Sequence, residues 1–178
     1  DRLLDVGCGG GAFLKRALAS GCHAAGVDHS PDMVALARAE NGAAIAAGRL
    51  EIQQADAARL PFDDGSFTCA TMHGVLGFLT DPVAVLADVR RVLTSGGRIV
   101  IAGSDPELRG TPAAPEPIAA RLRFYDDAAL ARLALDAGFG EVHVVRRALE
   151  SYARDAGIPD EHIPLYALPS RFLLARSA

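Results

Sequence analysis

The stretch Leu4-Asp5-Val6-Gly7-Cys8-Gly9-Gly10-Gly11 near the start of the chain constrains the fold more than any other. A short apolar run, Leu3–Val6, ends in a glycine cluster, and Ala12–Ser20 follows with helical spacing, Phe13 with Ala17 and Leu14 with Leu18. Strand, glycine-rich turn and helix in that order bring bare backbone close to a ligand and open an α/β unit. Gly21 stops the helix. Ala24–Val27 is the next strand, closed by Asp28, and Ser30-Pro31 opens a helix to about Ala39, with Ser as N-cap and Pro in the first turn.

The alternation continues. Leu50–Gln54 and Phe67–Met72 read as strands around the turn Pro61-Phe62-Asp63-Asp64-Gly65. Asp81-Pro82 opens a helix to Leu93, with Val85, Val89 and Val92 on one face and Arg90 and Arg91 away from it. Gly96-Gly97 reads as its stop, and Arg98–Ala102 as a strand buried on both faces. Asp126–Ala137 is a helix ended by Gly138, and Val142–Val145 and Phe172–Ala175 are the last strands. This repetition predicts an α/β fold, doubly wound, with a mostly parallel sheet and helices on both faces. Two segments break the rhythm. Ser104–Arg123, with Pro106, Pro112, Pro115 and Pro117, reads as a lid or substrate loop. Ala148–Ser170, with Pro159, Pro164 and Pro169, reads as an insertion within one domain spanning residues 1–178.

Composition removes several function classes. With 50% hydrophobic residues and a net charge of −4, the 178 residues do not make a disordered chain. That charge gives no basic field, so nucleic acid is not expected as a partner. The longest stretch without Asp, Glu, Lys or Arg, Gly65–Thr80, is too short and too polar for a membrane span. Cys8, Cys22 and Cys69 are odd in number and form no CxxC pair, which points to reduced thiols in a cytoplasm. Lys15 is the only Lys among 18 basic residues, a usage that hints at a GC-rich bacterial genome. The chain begins on Asp1 with no signal-peptide pattern, and a missing N-terminal segment is expected.

The glycine motif alone leaves the ligand open. Gly7-x-Gly9-x-x-Ala12 meets the dinucleotide fingerprint, and Asp28 stands where a ribose-binding acid belongs, so an NAD-dependent oxidoreductase is one reading. Asp5, however, sits two residues before Gly7, where a dinucleotide fold normally has an apolar residue. Downstream come the segment Gln54–Phe67 with its Asp56-Ala57 and Pro61-Phe62-Asp63, then Asp81-Pro82, Arg91-Val92-Leu93 and Gly96-Gly97-Arg98-Ile99-Val100-Ile101. As an ordered set these resemble the class I S-adenosylmethionine-dependent methyltransferases, especially the small-molecule group related to the ubiquinone and menaquinone C-methyltransferases. The resemblance covers about residues 1–103 and, more loosely, Phe124–Gly138.

The resemblance implies a seven-stranded Rossmann-like sheet with its last strand antiparallel, S-adenosylmethionine as cofactor, and methyl transfer to a small-molecule acceptor. It places Gly7, Cys8 and Gly9 under the methionyl part of the cofactor, with Asp5 beside them. Asp28 would accept from the ribose hydroxyls, a charge-assisted contact. His29 and Met33 would flank the adenine, and Asp56, with the Ala57 N–H beside it, would meet its amine. His73, closing the fourth strand, would stand near the sulfonium. No catalytic residue is assigned. His73 is the candidate, expected to position rather than exchange a proton, because the sequence shows no second residue to orient it. A catalytically inactive cofactor-binding domain is the rival from another class. His23, His143 and His162 have no metal-ligand spacing, no metal is expected, and Arg109, Arg121 and Arg123 are expected in solvent.

Overall fold

The structure is a computed structural model that describes residues 1–103, 105–111, 114–155, 157–166 and 170–177. Ser104, Pro112, Pro169 and the side chain of His162 lie outside the described residues. Seven strands form one sheet: β1 Arg2–Val6, β2 His23–Asp28, β3 Leu50–Gln54, β4 Phe67–His73, β5 Leu93–Ala102, β6 Phe139–Arg147 and β7 Ser170–Ser177. Their order is β3-β2-β1-β4-β5-β7-β6. The first five strands pair in parallel, and β7 is antiparallel to both of its neighbours, as expected for the last strand.

Helices cover both faces because strand residues alternate sides. Leu3 joins Leu14 and Leu18 of α1 (Ala12–Leu18) and Val34 and Ala37 of α2 (Pro31–Glu40) in one core. Leu4 and Val6 face the other way. They join Val85, Leu86, Val89 and Val92 of the next long helix and Leu130 and Ala134 of a later one. In chain order the remaining helices are α3 Gly42–Ala46, α4 Pro82–Val92, α5 Asp127–Asp136 and α6 Glu150–Asp155. The same alternation puts Asp5 on the Leu3 side of the sheet. Thr71, its partner in the β1–β4 register, and His73 share that side.

Three expectations change. The helix over residues 82–93 stops at Val92, well before Gly96-Gly97: Leu93 is already extended (φ −82, ψ 143), buried, and paired with Phe67 as the first residue of β5. The insertion is also less irregular than its prolines suggest. It holds α6 and a 3-10 stretch over Asp160–Tyr166, and the lid segment holds two short 3-10 turns, Pro106–Leu108 and Ala119–Arg121. Finally, Arg109 and Arg123 are exposed but engaged: Arg109 lies over the Phe124 ring, and Arg123 donates to the Thr80 carbonyl at 2.8 Å.

One clamp fixes the loop after β3. Arg91 donates to Asp88 and Asp64 and to the carbonyls of Phe62 and Leu60, while Asp88 Oδ2 accepts from the Leu60 N–H at 2.6 Å. Burial raises the Asp88 pKa, but the hydrogen bonds from Arg91 and the Leu60 N–H outweigh it and hold the carboxyl below its ordinary 3.8. Asp88→Ala leaves Leu60 without its acceptor and should lower stability by about 1–3 kcal/mol in urea unfolding. Because the folded pKa is depressed, this contribution is present at neutral pH and is lost as pH falls below about 4. Asp88→Asn should flatten that acid limb. Wild-type stability of Asp88→Ala at pH 7 would show that the loop holds itself without the clamp.

Candidate functional site

The C-terminal ends of β1, β2 and β4 open onto a cleft of 720 Å³, within the range of roughly 300–1,000 Å³ usual for small-molecule sites. The glycine loop forms its floor. Gly7 and Cys8 both donate to the Val27 carbonyl, at 2.8 and 2.9 Å, which folds the loop back over β2. Gly7 has φ +74, and a Cβ there would fall 2.2 Å from Val75 Cγ2, so a bare backbone is required. At the far end, Gly11 (φ +79) packs against α2, where the buried Asn41 donates to the Ala37 and Gly11 carbonyls.

Asp28 closes β2 and is buried. Its Oδ2 accepts from the Gly9 N–H and its Oδ1 from the Ser30 N–H, both at 2.9 Å. Asp56 lies exposed across the cleft, its Oδ1 accepting from the Ala58 N–H at 2.9 Å. Of the residues singled out in the sequence, Gly7, Asp28, His29, Asp56, Ala57 and His73 line the cleft. Cys8 and Gly9 belong to the loop but not to the wall. Met33, 40% exposed on the first turn of α2, is not brought to it either. The sequence reading missed Val75, Phe78, Leu79 and Val85, which supply an apolar wall. For Val75, Phe78 and Leu79 the signal was the apolar run after β4, which carries no motif, and for Val85 its place on the apolar face of α4.

Beneath the floor sits Asp5, 2% exposed, accepting from the Thr71 hydroxyl at 2.9 Å. Burial pushes its pKa up from 3.8; the Thr71 hydrogen bond opposes this and the Asp28 charge adds to it, leaving the carboxyl at about 6. Burial, and then the Asp5 and Asp28 charges, raise the Cys8 thiol to about 12, so it stays protonated and unreactive. His73 Nδ1 stands 3.9 Å from Asp5 Oδ1, and its ring packs 4.6 Å from Phe13. His73 therefore has the neighbouring carboxylate that the sequence did not reveal, and burial lowers its pKa from 6.5.

Past His73 lies a second cavity of 410 Å³. Phe13 comes from α1, Leu108 from the lid segment, Leu149, Tyr152 and Ile158 from the insertion, and Phe172 from β7. Among the described residues, His73 is the one shared by both cavities.

Residues 4–101 match a family described as methyltransferase domain. The chain belongs to that family. This bears out the resemblance drawn from the ordered motifs. The chain is 36% identical over 177 residues to an uncharacterized 37.1 kDa protein in transposon TN4556 of Streptomyces fradiae, covering 91% of this chain and 49% of that one. It is 39% identical over 103 residues to the demethylmenaquinone methyltransferase of Clavibacter sepedonicus, covering 57% of this chain and 40% of that one. The chain thus spans half or less of the length of these curated relatives. In fold it is similar to the [4+2]-cyclase SpnF, with a TM-score of 0.75 at 21% identity over 99% of this chain and 75% of that one.

Asp5 gives this methyltransferase domain a testable weakness. Its carboxyl titrates near 6 when folded and near 3.8 when unfolded. Stability should therefore fall as pH rises between those values and stay lowered above them, by on the order of 2–3 kcal/mol. Asp5→Asn keeps an acceptor for Thr71 and removes the charge. It should raise the ligand-free melting temperature at pH 7.5 and flatten the profile between pH 4 and 6. An unchanged or lower melting temperature would show that Asp5 is better solvated than its burial implies.

Proposed function

We propose that this chain transfers the methyl group of S-adenosylmethionine to a small-molecule acceptor. The observation that carries the reading is the sheet order, with antiparallel β7 between β5 and β6. A dinucleotide fold has the all-parallel order 3-2-1-4-5-6 and no such strand, which disfavours the NAD-dependent oxidoreductase. Family membership and the buried carboxylate of Asp5 before the glycine loop support the same choice.

The residues present fit the cofactor. Each Asp28 oxygen takes one backbone N–H and keeps a lone pair for a ribose hydroxyl. Asp56 and the Ala57 N–H suit the adenine amine and its neighbouring ring nitrogen, with His29 alongside. Bare Gly7 admits the methionyl chain, and Asp5 beneath it provides negative charge opposite a cation. When bound, S-adenosylmethionine supplies a methyl group already activated as a sulfonium. The chain has then to align donor and acceptor and keep water out, which the apolar wall of Val75, Phe78, Leu79 and Val85 does. The composition and unpaired cysteines favour a bacterial cytoplasm. No nucleic-acid partner is part of this reading. Among the described residues, no helix is long and apolar enough to cross a membrane.

The cofactor choice is tested by thermal shift and calorimetry. S-adenosylhomocysteine should bind with micromolar affinity or better and, at ~100 Kd, stabilise the fold by about 2.7 kcal/mol, while NAD and NADP do neither. A shift with NAD and none with S-adenosylhomocysteine overturns the proposal. Tight binding without turnover over a broad acceptor panel would favour the inactive domain instead. Separately, Asp28→Ala, measured on folded protein, should weaken S-adenosylhomocysteine by at least about tenfold, with Asp28→Asn losing less. Unchanged affinity in Asp28→Ala would place the ribose elsewhere.

A further inference from the structure

The geometry points to the second cavity as the seat of an uncharged, largely apolar acceptor bearing a hydroxyl group, with His73 taking the hydroxyl proton as the oxygen is methylated. This inference rests on the cofactor reading above and adds the acceptor class and the base.

The cavity wall argues for an uncharged molecule. Phe13, Leu108, Leu149, Ile158 and Phe172 make it apolar, and Tyr152 stands at the rim, 67% exposed. The two ions buried in the wall neutralise each other, since Arg171 Nη1 donates to Asp105 Oδ1 at 2.9 Å and to the Tyr125 carbonyl at 2.9 Å. Arg171 Nε also lies against the Asp127 carboxylate, 2.5 Å away and outside hydrogen-bond geometry. Arg16, the other charged residue of the wall, is exposed, so among the described residues of the lining an anionic acceptor would find no free buried cation and a cationic one no free buried carboxylate. A cavity of 410 Å³ lies at the small end of the drug-sized range of roughly 300–1,000 Å³, which suits a compact, fused-ring molecule.

Position argues for the base. His73 is the partition between the two cavities, so an acceptor atom beside it also faces the cofactor cleft. Its Nδ1 is turned to Asp5, 3.9 Å away, and the tautomer with the proton on Nδ1 leaves the Nε2 lone pair free. Burial keeps the imidazole neutral at pH 7, the form that accepts a proton. The charged groups facing the ring are Asp5 from β1 and Arg16 from α1, with the self-compensated Asp105–Arg171 pair farther along the cavity. Asp28, Asp56 and Asp81 stand across the cleft. In the reaction, the hydroxyl O–H bond breaks toward Nε2 while an oxygen lone pair forms the new C–O bond. The C–S bond breaks with its electron pair going to sulfur, which turns the sulfonium into a neutral thioether. The imidazolium then returns its proton to water. A separation of 3.9 Å in the free protein is compatible with this role, because catalytic hydrogen bonds tighten on substrate binding.

The test uses three naphthalene probes with S-adenosylmethionine: 2-naphthol, 6-hydroxy-2-naphthoic acid and 2-(aminomethyl)naphthalene. Methylated product is read by mass. The neutral naphthol should be methylated on oxygen with at least about tenfold higher kcat/KM than either ionised probe, a difference of one decade per 1.4 kcal/mol. Ala153→Phe, filling the cavity from α6, should abolish turnover while S-adenosylhomocysteine affinity stays within about twofold. If that variant fails to fold, Tyr152→Ala, at an exposed rim position, should raise KM about fivefold instead. The wild-type kcat should rise with pH through an apparent pKa below 6.5. His73→Ala should remove that limb and lose at least about a hundredfold in kcat, and His73→Gln should not restore it. No turnover of 2-naphthol, preference for an ionised probe, or a limb that survives His73→Ala overturns the proposal. If S-adenosylhomocysteine itself does not bind, the failure lies with the cofactor reading.

Discussion

The rest of the site depends on what Asp28 holds together. Its two carboxylate oxygens take the N–H groups of Gly9 and Ser30, and its own carbonyl takes the Ala55 N–H at 3.0 Å. One residue at the end of β2 thus ties the glycine loop, the start of α2 and the turn after β3. These segments contribute Gly7, His29 and Asp56 to the cleft. Charge-assisted hydrogen bonds of this kind are short and strong, and here they are shielded from water by burial. The floor is therefore fixed in the free protein, and a ligand need not order it.

Asp5 shows the opposite side of the same construction. An ionised carboxylate between β1 and β4 weakens the fold at neutral pH, and an apolar strand residue would pack there more favourably. The hydrogen bond it accepts from Thr71 only partly offsets its burial, which pushes its pKa up to about 6. Destabilisation of this kind in the middle of a sheet is characteristic of sites built for a charged ligand or a proton transfer. The same carboxylate lies beside His73 and below Gly7, so one unfavourable burial serves both cavities.

The parallel half of the fold was legible because its signals are local. Leu3–Val6, Leu50–Gln54 and the valine stripe of α4 carry their periodicity within a few residues, and the glycine loop and Asp28 follow each other in one βαβ unit. What escaped the sequence depends on distant pairs. Asp5 meets His73 only because the β1–β4 register sets Asp5 opposite Thr71, and nothing near either residue encodes that register. The start of β5, expected at Arg98, was misplaced because Gly96-Gly97 is the stronger local signal, whereas Leu93 leaves the helix to pair with Phe67. Arg91 stands in the sequence only as a residue away from the apolar face of α4, yet it organises the loop from Leu60 to Asp64 through carbonyls that no sequence pattern marks. The six-residue α6 lies in a proline-rich stretch and is too short for periodicity to declare it.

The direction of β7 explains why the second cavity stands where it does. Phe172 pairs with Ala102 at the C-terminal end of β5, and Ser170 pairs with Arg147 at the C-terminal end of β6. An antiparallel β7 therefore begins at the edge of the sheet where the parallel strands finish. The connection from β6 has no need to cross to the opposite edge, as a parallel strand would demand. It turns back on the ligand side and sets α6 and the Asp160–Tyr166 turn beside His73, over the end of β5. The described part of this connection, with Leu149, Tyr152, Ala153 and Ile158, thus becomes a wall by topology alone. Its sequence is free to vary without disturbing β1, β2 and β4, whose ends hold the first cavity. A fold arranged in this way can keep one donor site and change its acceptor by rewriting a single connection.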